Sequence, residues 1–353
     1  MDKLASLLHT SPAVAWMAVK ILIVFGGVMS LAAVWTWVER RGSAMIQDRI
    51  GPNRAALFGR WPILGLGQIL ADGIKFFFKE DLVPHDANKR LFWLAPFLAF
   101  VPALMGFAVI PFGRSFVSGG HTYHLALLDP GNGMGMLYPL AIGGMAVYGV
   151  LVAAWSSNNK WSILGGMRAS AAMVSYEIGM SLAVITIFMT TGGYDPSEII
   201  TAQSHLPWAW NIVRQPLGFI VFFTCMFAET NRLPFDFAEG ESEIVAGFNT
   251  EYGSMKFSLL ALAEYSHLMT ASALIATMYF GGWQVPFVRE PGVLLSVAAF
   301  LGKMLFFAWV FVWIRWTLPR FRYDQLMHLG WKVMLPLSMA NLVFHAWRMS
   351  QGH

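Results

Sequence analysis

Eight runs of mostly apolar residues constrain this chain more than any other feature. They fall at roughly 13–38, 91–112, 133–156, 166–191, 206–229, 256–281, 293–314 and 333–349. A helix needs about 20 such residues to cross the hydrocarbon core of a bilayer. The pattern therefore predicts an all-α polytopic integral membrane protein with about eight transmembrane helices. Composition agrees: 56% of residues are hydrophobic, 15% are aromatic and only 12% are charged, outside the range of soluble domains. The fifth run is the least regular, because Arg214, Gln215 and Pro216 interrupt its first half. The first run is long enough to span and is followed by Glu39-Arg40-Arg41, so it reads as a span and not as a cleaved leader. No short repeat or low-complexity linker divides the 353 residues, and one transmembrane domain, 1–353, is the simplest organisation.

Lysine and arginine counts give an orientation. With the N-terminus outside, the inner loops 39–90, 157–168, 229–256 and 315–332 hold 17 basic residues, against five in the outer segments. Both termini then lie on the outer side. Within the first inner loop, Pro62–Lys79 looks at first like another span. Its polar residues Gln68, Asp72, Lys75 and Lys79 recur at spacings of 4, 3 and 4, with Leu66, Ile69, Phe76 and Phe77 among those covering the other faces. Such a stripe suits a helix lying in the interface. A Gly51-Pro52-Asn53 turn separates it from a shorter helical piece containing Gln47, Asp48 and Arg49. Residues 40–80 are expected to form an amphipathic, membrane-lying shelf.

The acidic residues are concentrated in one place. Between two apolar runs, Glu229–Tyr252 carries Glu229, Asp236, Glu239, Glu241, Glu243 and Glu251 against a single basic residue, Arg232. Carboxylates beside a bilayer are expensive unless they face water or partners. Taken alone, the stretch fits either a solvated loop or a functional site. Four ionisable residues also fall within expected spans: Lys20, Glu177, Glu264 and Lys303. Lys20 is near a span end and can snorkel, and His267 follows Glu264 at i+3, within bonding reach. For each of these residues a buried polar contact between helices competes with a functional role. Carboxylates at graded depths are also what proton transfer through a low-dielectric region requires.

Several chemistries find little support. The single Cys225 excludes a disulfide framework and a cysteine-ligated iron–sulfur cluster built within the chain. Glu264-x-x-His267 has a ligand-like spacing, but a di-metal bundle needs a second such pair. Haem would have only His267 and His345 within spans. No glycine-rich nucleotide motif and no basic, aromatic-interleaved nucleic-acid surface appears. A stand-alone transporter would be expected to show related halves with broken helices at matching positions, and no such symmetry is visible.

The motifs carry a resemblance over nearly the whole chain. ETNRLPFDFAEGESE at 229–243, FNTEY after it, ERR at 39–41, DRIGPNR at 48–54, ADGIKFFFKE at 71–80, SYE at 175–177, LAEY at 262–265 and PRFRYDQLMHLGWK at 319–332 occur in order. Together they resemble the H subunits of NADH-quinone oxidoreductase, the quinone-site membrane subunits of respiratory complex I. Membrane subunits of related hydrogenases share parts of the pattern, but PFDFAEGESE, the EY that follows and PRFRYDQLM favour the respiratory enzyme.

The resemblance implies a subunit of H+-translocating NADH:quinone oxidoreductase in a bacterial plasma (inner) membrane, with eight spans and periplasmic termini. It implies that this chain binds no cofactor or metal of its own. Quinone is the substrate, while NADH, FMN and iron–sulfur clusters belong to partner subunits. The implied partners are soluble quinone-site and iron–sulfur subunits, small membrane subunits and lipid. Carried over by position, Glu39, Arg40, Arg49, Asp72, Lys75, Arg232 and Asp236 match residues of the quinone tunnel. Glu177, Glu229, Glu239, Glu241, Glu243 and Glu264 match the carboxylates that couple quinone reduction to proton translocation. His267 is a local departure, since asparagine is expected there in several relatives.

Overall fold

The computed structural model describes residues 12–55, 65–118, 121–128 and 134–351. The described residues form an α-helical bundle with one small hairpin. The helices are α1 (Pro12–Ile46), α2 (Gly67–Phe78), α3 (Lys89–Met105), α4 (Leu137–Ser156), α5 (Lys160–Thr191), α6 (Pro196–Gln203), α7 (Asn211–Arg214), α8 (Pro216–Glu229), α9 (Glu241–Ile244), α10 (Ser254–Tyr279), α11 (Val293–Thr317), α12 (Tyr323–His328) and α13 (Leu335–Ser350). The hairpin, unforeseen in the sequence, pairs β1 (Phe116–Ser118) with β2 (His121–Tyr123). Among the described residues, six helices are long and apolar enough to cross a membrane: Trp16–Ile46, Lys89–Ala108, Leu137–Ser156, Lys160–Thr191, Ser254–Tyr279 and Val293–Thr317.

The bundle is organised around α10, which packs on α1, α2, α3 and α11. Its residues from Leu268 to Tyr279 are all buried, which is why that stretch carries no polar stripe. A second hub is α5, which contacts α4, α8 and α13. The side chain of Asn159 caps its start by accepting from the Trp161 amide, and Gly192, at φ 74°, ends it in a left-handed turn.

Three elements depart from expectation. The first helix runs on through Glu39-Arg40-Arg41 to Ile46, and the expected separate piece at Gln47–Arg49 is instead its terminal turn. Nothing in ERRGSAMI breaks a helix, so Glu39 and Arg40 stay on α1. The fifth expected span is broken at Gln215, which sits at φ −136°, ψ 62° before Pro216. Proline disfavours a helical residue before it. The 14 residues of α8 rise about 21 Å, short of the roughly 30 Å apolar slab. The Gln215 amide offsets the break by donating to Thr190 and accepting from Thr186. The eighth expected span belongs to a longer helical run, because a π-turn, Leu329–Met334, joins α12 to α13.

Lys20 and Lys303 are accounted for structurally. The Lys20 ammonium donates to the Ala126 carbonyl at 3.0 Å. Lys303 donates to the carbonyls of Phe280, Gly282 and Gln284 and lies over the Trp210 ring. Of the expected shelf, 56–64 lies outside the described residues. The amphipathic helix α2 is present, with Leu70, Ile74, Phe77 and Phe78 exposed. Ser254, at the start of α10, donates to the carbonyls of Phe76 and Lys79 and so fixes the end of α2.

Candidate functional site

The acidic stretch folds inward. Between α8 and α10, Arg232, Phe237 and Ala238 are each 1% exposed and Asp236 is 7% exposed, which rules out a freely solvated loop. Gly247, at φ 54°, lies so close to the Ala238 carbonyl that a Cβ there would overlap it. Gly165 of α5 packs on the Gly247 backbone and would meet it through any side chain. The loop is thus held against α5 by two glycines.

Four charged side chains meet beneath it. Arg232 reaches Glu39 of α1 at 2.8 Å and Glu264 of α10 at 2.7 Å. Arg315 of α11 binds the other Glu39 oxygen and lies 3.7 Å from Glu264. Two carboxylates and two guanidiniums therefore balance across three helices and the loop, with the Arg232 guanidinium 4.4 Å over the Tyr265 ring. Burial works against the Arg232 charge, but Glu39 and Glu264 outweigh it and hold its pKa above the ordinary arginine range. Beside this cluster Asp236 accepts from Arg320 at 2.8 Å. Glu243 pairs with Arg168, whose guanidinium also lies near the Phe237 and Tyr323 rings. The side chain of Glu241 is outside the described residues.

Glu229, Glu239 and Glu264 line one internal cavity of about 60 Å³, together with Asn231, Asn249 and His267. The Glu264–His267 bond that the i+3 spacing allows is not made, because Glu264 turns to Arg232 and His267 hydrogen-bonds to the backbone of Ala99. Glu239 accepts from Asn249 at 2.6 Å. Burial, then the Glu264 and Asp236 charges, push its carboxyl up to about 7. From pH 4.5, the unperturbed value, up to about 7, the folded chain holds a proton that the unfolded chain has released. Stability from this group therefore falls as pH rises through that window. Infrared titration of the purified protein should show a protonated-carboxyl band disappearing near pH 7, with a smaller amplitude in Glu239→Gln. A band untouched by that substitution would assign the proton elsewhere.

The deeper acids rest on helix backbone. Glu229 lies against Gly143 and Glu177 against Gly144, where a Cβ on either glycine would strike the carboxylate. Glu177 opens into a lateral groove of about 770 Å³ between α4, α5 and the α12–α13 run, walled by Tyr148, Val174, Met327 and Trp331. Trp331, in the π-turn, donates to Ser175, and Tyr176 donates to the Leu326 carbonyl.

The remaining expected residues lie on the shelf side. Arg40 pairs with Asp72 at 2.6 Å, joining α1 to α2. Arg49 bonds Gln47 and Ser43 at the turn after α1. Lys75 lies over the Phe76 ring at 4.9 Å. Sequence reasoning had singled out neither Arg315, Arg320, Arg168 and Asn249 nor the Gly143-Gly144 pair. Arg320 and Asn249 fall inside the PRFRYDQLMHLGWK and FNTEY motifs, while the others showed only as arginines at span ends and adjacent glycines inside an apolar run. Among the described residues, no group of three or more His, Cys, Asp and Glu side chains could hold a metal ion.

Fold and site together define a polytopic helical membrane protein with a buried carboxylate–guanidinium cluster beside an internal cavity that three glutamates line. A profile described as NADH dehydrogenase matches residues 19–346, and the chain belongs to that family. It is 46% identical over 319 residues to an NADH-quinone oxidoreductase H subunit of Cytophaga hutchinsonii, covering 89% of this chain and 90% of that relative. The NADH-quinone oxidoreductase H subunit of Leptospira biflexa is 46% identical over 345 residues, 94% of this chain and 93% of its own. An H subunit of the same enzyme from Geobacter metallireducens is 44% identical over 336 residues, 93% of each chain.

Proposed function

We propose that the chain is the membrane subunit of proton-pumping NADH:quinone oxidoreductase that forms the quinone entrance and tunnel. We further propose that it couples quinone reduction to proton translocation through its buried carboxylates. The observation carrying this reading is the convergence of Glu229, Glu239 and Glu264 on one cavity, with Glu264 joined through Arg232 and Arg315 to Glu39. The names of the relatives support the enzyme assignment. In this reading α1, α2 and the Arg40–Asp72 pair border the entrance, with Arg49, Lys75 and Asp236 along the tunnel. The chain sits in a bacterial inner membrane with both termini periplasmic. NADH, FMN and iron–sulfur clusters reside in partner subunits.

Reduction of quinone to quinol takes up two electrons and two protons. A charge change beside Glu39 and Arg232 perturbs the proton affinity of every carboxylate in the cluster, because water is scarce there. Arg315 can exchange Glu39 for Glu264 by a small movement, which would alter the field on Glu239. Glu229 and Glu177 then carry the response towards the α4–α5 groove and its neighbouring membrane subunits.

Glu177→Gln, or glutamine at Glu239, Glu241 and Glu243 together, should depress quinone-coupled proton pumping by roughly an order of magnitude. NADH oxidation by artificial acceptors should stay at wild-type rate. Proteoliposome pumping and acceptor assays on the purified complex measure both. Full coupled pumping in a correctly assembled variant with all four changes would sink the proposal.

A further inference from the structure

Around one cavity, three buried polar atoms find no protein partner: Glu229 Oε2, Asn249 Oδ1 and His267 Nε2. All three residues line the cavity of about 60 Å³ that also holds Glu239 and Glu264. Glu229 and His267 line a second cavity as well, of about 20 Å³, in company with Thr230 and Thr270. His267 thus borders both spaces. Its ring is oriented by a hydrogen bond to the Ala99 backbone.

A neutral imidazole has one N–H and one lone pair. With the N–H given to the Ala99 carbonyl, Nε2 is left as an acceptor. Asn249 Oδ1 is an acceptor too, as is Glu229 Oε2 when ionised, so the three cannot satisfy one another. Water supplies donors to all of them. About 10–15 Å³ admits one water, so both cavities are large enough and the larger takes several. The walls are otherwise largely apolar, including Ala146, Val150, Met173 and Leu260. Water admitted there would be held at the polar atoms.

We propose that His267 is a positioning residue whose Nε2 anchors a buried water chain running from Glu239 and Glu264 to Glu229 through the cavity they share. The proposal rests on the reading of these carboxylates as proton-coupling groups. The step it serves moves no electrons. An O–H bond breaks at the donor acid, the proton passes along the waters, and an O–H bond forms at Glu229. His267 keeps its Ala99 bond throughout and holds the first water in line.

A high-resolution structure of the assembled complex should show an ordered water within hydrogen-bonding distance of His267 Nε2; density without one overturns the proposal. His267→Leu should cut protons translocated per NADH oxidised several-fold, with complex abundance and artificial-acceptor rate unchanged. His267→Asn, still polar, should restore most of the loss, which a purely steric role would not predict. Wild-type pumping in His267→Leu overturns the positioning role. If that variant does not assemble, the apolar but flexible His267→Met takes its place. Normal pumping in Glu229→Gln and Glu239→Gln, with a loss in His267→Leu, would fault the carboxylate reading and leave the water site standing.

Discussion

Arg232→Met should strip the subunit from its complex. The substitution leaves Glu39 and Glu264 sharing Arg315 alone, in a site where Glu39 is 4% exposed. Removing one partner of a buried ion pair costs about 3–5 kcal/mol, because the remaining charge stays buried without compensation. That is a large part of a typical folding free energy of about 5–15 kcal/mol. Arg232→Lys should rescue little, since one ammonium cannot reproduce a planar fork that meets Glu39 through Nη1 and Glu264 through Nε. Adding Glu39→Gln to Arg232→Met should recover part of the loss by removing the uncompensated charge. Subunit abundance on native gels and the thermal midpoint in detergent provide the measurement. Wild-type values for Arg232→Met would show that the cluster contributes nothing to stability.

Gly143→Ala and Gly144→Ala should each lower the quinone-coupled rate on the order of tenfold or more, through displacement of a carboxylate. A Cβ at Gly143 would lie 2.7 Å from Glu229 Oε1, and one at Gly144 would fall on Glu177. Both carboxylates must then move, and Glu229 leaves the two cavities it lines. Gly302→Ala on α11 is the control, since a Cβ there meets nothing within 4 Å. Coupled rates and complex abundance, measured together, separate displacement from misassembly. Unchanged coupling in both glycine variants would mean that the carboxylate positions are not critical.

Much of the candidate site was legible in the sequence because acids in an apolar chain are conspicuous. Glu229, Glu239 and Glu264 stood out for that reason, and the structure places them on one cavity. Their cationic partners were not legible. Arg315 and Arg320 read as ordinary inner-loop arginines, yet one binds Glu39 and the other Asp236. The i+3 spacing of Glu264 and His267 suggested a bond that the fold does not make. A guanidinium from another element competes for Glu264 and wins, since a charge-assisted contact outweighs a neutral one. Helix ends were misjudged where local signals are weak: α1 overran its apolar stretch, and α8 began only at Pro216.

Membrane-spanning, all-helical character and the location of the acidic stretch were determined by the sequence alone. Both are one-dimensional properties, because a bilayer asks only for runs of about 20 apolar residues and charge stands out against such runs. Which cation meets which carboxylate was decided only in three dimensions. Arg315 and Glu39 lie 276 positions apart and Arg232 and Glu39 lie 193 apart. Ion pairs and hydrogen bonds act over a few ångströms, so only the packing of α1, α10 and α11 could bring these groups together. The same packing set His267 between two cavities and gave the acidic stretch an interior to face.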